Sequence, residues 1–396
     1  MATPKKVAVL INTDRPYLCD IIRGVMQYSQ QLGHWKFYID PFGAAAPDKR
    51  LKFWGCDGVI VYSSAKVVAE SLKGSNLPAV MLTVIEVDPG LPRVAPDHLA
   101  IGRLAADHLI QRGFKNFAYW QGRHGYSPAL RGKGFMDQLA KAGMASSCSQ
   151  MPLHSATTGL SPQEWGQYHG MLREWVLSLP KPVGILCSND IFCRRLAVAC
   201  ESCGLRVPED VALVGVDNEQ LICEFSDPPL SSVDPNWGQV GYEAAAMLDR
   251  IMSGQPAPQG ATLIPPLGLI ARQSTNTLVV DDPVVSRAIK FIRDQANPTI
   301  RISEVLKHVG VSRRSLEQRF KAAIGRGPVS EIRRTRVDRA KDLLAQTHMS
   351  IAQIAKDAGF SNAQSLCVIF RREVGLPPTT YRKQFQAGRE TRERFG

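Results

Sequence analysis

Along the first two-thirds of the chain, short apolar runs alternate with longer amphipathic stretches. Val7–Ile11, Lys36–Ile39, Asp57–Tyr62, Ala79–Ile85, Asn116–Trp120, Val183–Cys187 and Val211–Val216 read as buried strands, several of them bounded by Gly or Pro. Between them, Leu18–Gln31, Ala100–Arg112, Gly132–Ala142 and Arg194–Cys203 carry apolar residues at helical spacing. Repeated β-α-β units with short links predict parallel sheets covered by helices on both faces. Some 270 residues is large for one open sheet, so two lobes are expected over residues 6–275.

From Pro283 onward the pattern is helical throughout. Val284–Ala296, Ile302–Val309, Ser312–Ile324, Val329–Thr347, Ile351–Ala358 and Asn362–Val374 are the expected helices, and Pro377-Pro378 opens a last short one. Asp281-Asp282-Pro283 is a polar junction suited to cap the first of them. A repeat lies within this region. Ile302–Ser312 recurs as Ile351–Ser361, and each copy is an apolar-patterned helix, a Gly turn, a Ser cap and a second amphipathic helix. This is a helix-turn-helix layout, in which the second helix enters a major groove. The helix between the copies spans on the order of 27 Å, which suits recognition helices entering successive grooves about 34 Å apart.

Charge sharpens this division. The chain has 396 residues and a net charge of +12, yet residues 283–396 hold 23 basic and 10 acidic residues and the rest is close to neutral. A neutral body carrying a compact basic domain points to a polyanion partner for that domain, here double-stranded DNA. On the linking helix, Arg333, Arg334, Arg336 and Arg339 are candidates to meet phosphates, or a solvated face paired with Glu331 and Asp338.

The candidate chemistry of the body is binding rather than catalysis. Ligands of open α/β sheets sit beyond the carboxyl ends of the strands. Asn12, Thr13, Asp14, Asp97, Asn189, Asp190, Asp217 and Asn218 follow strands, and Arg131 opens the helix containing Gly134 and Phe135. Taken singly, an Asp or Asn at such a junction more commonly caps a helix. Together they suggest a shared polar cleft whose carboxylates and Arg suit neighbouring hydroxyls, with Tyr17, Trp120, Tyr126, Trp165 or Trp237 to cover an apolar face. A sugar is the natural guest. The dinucleotide, P-loop, zinc-protease and nucleophile-elbow motifs are absent, and the eight His form no recognisable triad, so no enzyme, cofactor or metal is expected. Nine scattered Cys fit a reducing cytosol, and the Cys200/Cys203 pair has no second pair to complete a zinc site. No apolar run is long enough for a membrane span, and the opening Val7–Ile11 reads as a strand, so a cytoplasmic location is expected.

These residues also carry resemblances. Val94–Phe117 with Asp97, Gly102, Leu109, Gly113 and Phe114, then Arg131–Phe135, Cys187–Asp190, Pro208–Asn218 and Leu230–Val233, resemble signatures of LacI-type regulators and periplasmic sugar-binding proteins. That resemblance covers residues 6 to about 273 and implies two lobes, about 6–113 with 228–255 and about 114–227 with 256–273, with ligand between them. It implies Asp97, Arg131, Asn189, Asp190 and Asp217 as sugar-site residues. LacI-type chains begin with a DNA reader, whereas here the first strand starts at Lys6. The reader is expected after a linker at 276–282: residues 283–386 resemble the AraC-type DNA-binding domain, including Gly375–Arg382. The resemblance implies base reading by Arg313, Arg314, Glu317 and Gln318 in the first unit and by Asn362, Ala363, Gln364 and Cys367 in the second. The order of the two parts resembles the xylose operon activator family. This implies a cytoplasmic, sugar-responsive transcription regulator, an activator of pentose catabolism genes with D-xylose as effector, acting as a homodimer with RNA polymerase. A repressor, or a response to another sugar or a purine, stays open.

Overall fold

The computed structural model describes residues 4–11, 13, 15–33, 35–40, 55–62, 72, 77–83, 90–122, 125–145, 148–151, 162–258, 260–280, 282–294 and 300–383. Asn12, Asp14, Asp281, the side chain of Trp165, the end of the expected strand Ala79–Ile85 and residues 384–386 lie outside the described residues.

Two six-stranded sheets form the body. The first has the order β11-β5-β4-β3-β1-β2, all parallel, from β1 (Lys6–Leu10), β2 (Lys36–Asp40), β3 (Gly58–Val61), β4 (Ala79–Met81), β5 (Arg93–Pro96) and β11 (Ala261–Ile264). The second has the order β12-β10-β9-β8-β6-β7, from β6 (Asn116–Trp120), β7 (Cys148–Gln150), β8 (Val183–Cys187), β9 (Val211–Val216), β10 (Ser231–Asp234) and β12 (Gly268–Ile270). It is parallel except where β12 pairs with β10. The strands β1, β3, β8 and β9 are buried almost without a break, as expected of strands covered on both faces.

The chain passes between the sheets after β5, between β10 and the helix α7 (Trp237–Met252), and between β11 and β12. This corrects the expected lobe boundaries. β10 belongs to the second sheet rather than with 228–255, and β11 to the first rather than with 256–273. The helix α2 (His98–Gln111) also joins the second lobe: Ile101, Ala105 and Leu109 pack with Phe117, Phe135 and Val214. An amphipathic stripe marks the face to be buried without saying which sheet will bury it.

In each lobe one helix pair packs backbone to backbone. The helix α1 (Pro16–Tyr28) lies against α7, and α2 lies against α3 (Tyr126–Lys141). A Cβ on Gly102 of α2 would stand 2.0 Å from the Arg131 carbonyl of α3, and one on Gly134 would stand 2.1 Å from the Leu99 carbonyl. Close contact therefore fixes where α3, and with it Arg131, sits relative to the second sheet. The other helices of this lobe are α4 (Pro162–Ser178), α5 (Asp190–Ser202) and α6 (Gln220–Glu224).

The remaining helices are α8 (Pro283–Asp294), α9 (Ile302–Val309), α10 (Arg313–Ile324), α11 (Pro328–Gln346), α12 (Ile351–Asp357) and α13 (Ala363–Val374), with helix resuming at residue 378. Asp282 caps α8, its Oδ1 accepting from the Val284 and Val285 amides at 2.8 and 3.2 Å. The helices α9 and α10 turn at Gly310, which is left-handed at φ 73°, and Ser312 caps α10. The helices α12 and α13 turn through Gly359 at φ 83°, and the cap is Asn362 rather than the expected Ser361. Each unit has its own core: Val305, Leu316 and Phe320 centre the first, Ile354, Leu366 and Phe370 the second. The helix α11 joins them, giving Ile332 to one core and Val337, Ala340 and Leu344 to the other.

The helical domain is seated on the body. Beyond a 3-10 turn (Gln273–Thr275), Val279 donates its amide to the Arg112 carbonyl at 2.8 Å, and Arg112 Nε donates to the Thr275 carbonyl at 2.6 Å. A cavity of about 100 Å³ lies at this junction, where His108 and Arg112 of α2 face Arg334, Asp338, Lys341 and Asp342 of α11.

Candidate functional site

The polar centre of the body forms where β9 ends. Asp217 has φ 103° and Asn218 φ 48°, backbone that L side chains adopt rarely and that clusters at binding sites. Two hydrogen bonds hold the turn: the Asp217 amide donates to the Val233 carbonyl at 3.0 Å, and the Asn218 amide to Ser232 Oγ at 3.0 Å.

Arg131 reaches this turn from the second turn of α3, which starts at Tyr126 rather than at Arg131 as expected, and donates in three directions. Its Nη2 meets Asp217 Oδ1 at 3.4 Å, its Nε meets His98 Nδ1 at 3.2 Å, and its Nη1 meets the Ser188 carbonyl. The side chains of Arg131 and Asp217 are 7% and 5% exposed, so the pair is nearly desolvated and each partner makes the other tolerable there. Burial pushes the Asp217 carboxyl up, and the charge of Arg131 works against that. Trp237, at the start of α7 in the other lobe, donates Nε1 to the same Asp217 Oδ1 at 3.4 Å. Tyr17 stacks on Trp237 with ring centroids 4.9 Å apart, and Tyr62 meets Trp237 edge-on at 6.3 Å. A carboxylate, a forked donor and a stack of aromatic rings thus meet where the lobes face each other.

The other expected sugar-site residues are committed differently. Asp97 caps α2, accepting from the Ala100 amide at 2.8 Å, and pairs with Arg103 at 3.6 Å. Asn189 caps α5 with its Oδ1, which leaves its NH₂ group as the part able to donate to a ligand. Asp190 has no exposed surface and is tied to the chain itself, accepting from Ser232 Oγ at 2.6 Å and from the Glu219 amide at 2.8 Å. Burial and the nearby Asp217 push its carboxyl up to about 8. The structure therefore gathers Arg131 and Asp217, spends Asp97 and Asn189 on caps, and places Asp190 behind the turn. Among the aromatic candidates, Trp120 packs against Phe192 and Tyr168 in the core, and Tyr126 is 40% exposed. Sequence reasoning missed His98 and the Ser188 carbonyl. The available signal was position, since His98 follows directly on the strand-end Asp97.

In the helical domain, Arg313, Arg314, Glu317 and Gln318 are exposed on the first two turns of α10. Arg313 and Glu317 pair at 2.9 Å. On α13, Gln364 is exposed, Ala363 and Cys367 are half-buried, and Asn362 spends its Oδ1 on the Ser365 amide at 2.8 Å. Val368 stands 64% exposed on the same helix. Two of the arginines proposed for phosphates turn to the protein instead. Arg336 donates to the Ile300 carbonyl at 3.1 Å, and Arg334 lines the cavity facing the body. Glu331 is paired with Arg293 and Arg326, not with arginines of its own helix. Among the described residues, no helix is long and apolar enough to cross a membrane.

Comparison with known proteins agrees with this division. A periplasmic binding protein-like domain matches residues 106–275, and a helix-turn-helix domain matches residues 305–384. The xylose operon regulatory protein of Haemophilus influenzae is 30% identical over 95% of this chain and 98% of its own. That of Escherichia coli K12 is 29% identical over 95% of this chain and 96% of its own. A solved structure of a xylose-binding transcription activator, 27% identical, superposes with a TM-score of 0.64 over 96% of this chain and 98% of that one. The two-lobed sensor with its helix-turn-helix reader, matched over nearly the full length of both chains, places this chain in the xylose operon regulatory protein family.

Proposed function

We propose that this chain is a sugar-responsive transcription regulator that takes D-xylose in the cleft between its lobes and activates genes of pentose catabolism. The observation that carries the reading is the buried Arg131–Asp217 pair, capped by Trp237 from the opposite lobe, on one chain with two helix-turn-helix units. In this reading Asp217 accepts from, and Arg131 donates to, neighbouring hydroxyls of the sugar, while Tyr17 and Trp237 cover its apolar face. Asp97, Asn189 and Asp190 hold the cleft walls, with the Asn189 NH₂ free to reach the ligand. Sugar binds the closed arrangement of the lobes better than the open one, and that difference is what shifts the readers of a homodimer onto paired half-sites. Arg314 and Gln318 read base edges from α10, and Gln364 from α13, where Ala363 and Cys367 make apolar contact. The protein acts in the cytoplasm, with RNA polymerase as its partner at the promoter.

Thermal unfolding against pentoses, hexoses and purines tests this. A ligand at about 100 times its Kd adds about 2.7 kcal/mol to the domain that binds it. A selective upward shift with D-xylose is the expected result. A shift with a different sugar would reassign the pathway, and no shift with any sugar would refute the reading.

A further inference from the structure

We infer that His98 belongs to the sugar site: its Nδ1 positions Arg131, and its Nε2–H is the donor kept for one hydroxyl of the effector. This deepens the proposed sugar-binding reading and rests on it. His98 is the first residue of α2, immediately beyond the crossing from β5, so it stands at the hinge and at the cleft together. Arg131 Nε lies 3.2 Å from His98 Nδ1. A guanidinium has donors and no acceptor, so Nδ1 must offer a lone pair. The imidazole is then neutral and its hydrogen is on Nε2. Two further facts hold it in that form: the residue is 4% exposed, and its neighbour is a cation. Burial first, and then the charge of Arg131, lower its pKa well below the usual histidine range. The charged group against it is Arg131 on α3, with Asp217 behind it.

The far side of the ring is the informative part. Among the described residues, Nε2 has no hydrogen-bond partner, and it is not one of the sealed-off buried nitrogens. A buried ring that spends one nitrogen on Arg131 and leaves the other unengaged, beside Asp217, is a donor aimed at whatever fills the cleft. A merely packed histidine would need no partner of this kind on Nδ1 and would have Nε2 satisfied or sealed.

Binding of D-xylose, L-arabinose and D-ribose to the full-length protein, measured by titration calorimetry, separates the readings. The variants are His98→Leu, which removes both nitrogens, and His98→Asn, whose Oδ1 replaces Nδ1 as acceptor for Arg131 but whose NH₂ falls short of the Nε2 position. The expected result is at least about a tenfold loss of affinity in His98→Leu, the cost of a hydrogen bond involving a charged group. His98→Asn should recover part of it. Monodeoxy analogues of the bound sugar should show one position whose removal weakens the wild-type protein but leaves His98→Asn unchanged. Cooperative unfolding without sugar confirms that each variant is folded. Wild-type affinity in a folded His98→Leu would overturn the assignment while leaving the sugar reading in place. Recovery in His98→Asn with every deoxy analogue behaving as in the wild type would overturn the Nε2 donor. If the wild-type protein binds no sugar, the underlying reading falls and this inference with it.

Discussion

Glu331 has no exposed surface, yet it carries a charge, because Arg293 and Arg326 close on it at 2.8 and 2.6 Å. Burial alone would raise its carboxyl, but the two guanidinium groups outweigh that and hold it below its ordinary value of 4.5. A depressed acid stabilises the fold above its unfolded value, and that stabilisation is lost as pH falls through the folded value. The reader domain should therefore weaken below about pH 4.5. Glu331→Ala leaves Arg293, 7% exposed, without its counter-charge and should cost about 3–5 kcal/mol in denaturant unfolding. At the cleft, Asp217→Ala strands Arg131 and should abolish the sugar-dependent thermal shift. On the reader, Arg314→Ala should lower discrimination at one base pair by about 1–3 kcal/mol, measured across mutated operators. Asp217 was legible because strand ends collect ligand groups, and Arg131 because Arg131–Phe135 resembles a signature of sugar-binding regulators. His98 was not, because a lone histidine near an apolar run is more often core.

At the scale of elements, caps and close approaches set positions. The helix α12 has seven residues, too few to be stable alone, and depends on its ends. Ser350 Oγ accepts from the Gln353 amide at 3.2 Å, and Gln353 Oε1 accepts from the Ser350 amide at 2.9 Å, a reciprocal cap. Ser350→Ala should destabilise the second helix-turn-helix unit by about 1 kcal/mol, read from denaturant unfolding of the chain. The packing of α2 on α3 gives a stronger prediction. Gly102→Ala cannot be absorbed by a flexible side chain, since the new methyl would meet the Arg131 carbonyl and the Phe135 amide. It should cost about 1–3 kcal/mol and weaken the sugar-induced thermal shift by displacing Arg131, although Gly102 itself touches no ligand.

Across the whole molecule, the two functions are joined at α2 and α11. Asn218, beside Asp217, accepts from Arg272 at 2.9 Å. The Arg272 carbonyl accepts from Ser231 Oγ, which also meets Thr275 Oγ1 at 2.7 Å, and the Thr275 carbonyl accepts from Arg112. Arg112 faces the cavity that Asp342 lines from the reader. Burial, with the like charge of Asp338, pushes the Asp342 carboxyl up to about 8, against the pull of Arg272, Lys341 and Arg112. Between its ordinary value of 3.8 and about 8, the folded state holds a proton that the unfolded chain releases. Stability therefore falls as pH rises through that window and levels off above it. Asp342→Asn should flatten the decline in Tm between pH 6 and pH 8.5, and part of the slope should remain because Asp190 titrates in the same direction.

The amino-acid sequence by itself determined β1, β2, β3, β4, β6, β8 and β9, although β2 is not buried as expected, along with the helices of the reader, the helix-turn-helix repeat and the confinement of the net positive charge to residues 283–396. All of these are read from neighbours within a turn or a strand: periodicity, Gly turns and polar caps act over a few residues. Tertiary structure decided which lobe received α2, β10 and β11, because an apolar stripe is equally satisfied by either sheet. It also decided that Arg131 meets His98, 33 residues away, and Asp217, 86 residues away, that Asp190 turns inward, and that Arg334 faces the body rather than solvent. Such meetings depend on how whole elements pack, through contacts as close as Gly102 against Arg131, and no local pattern encodes the direction in which a packed helix will point its charge.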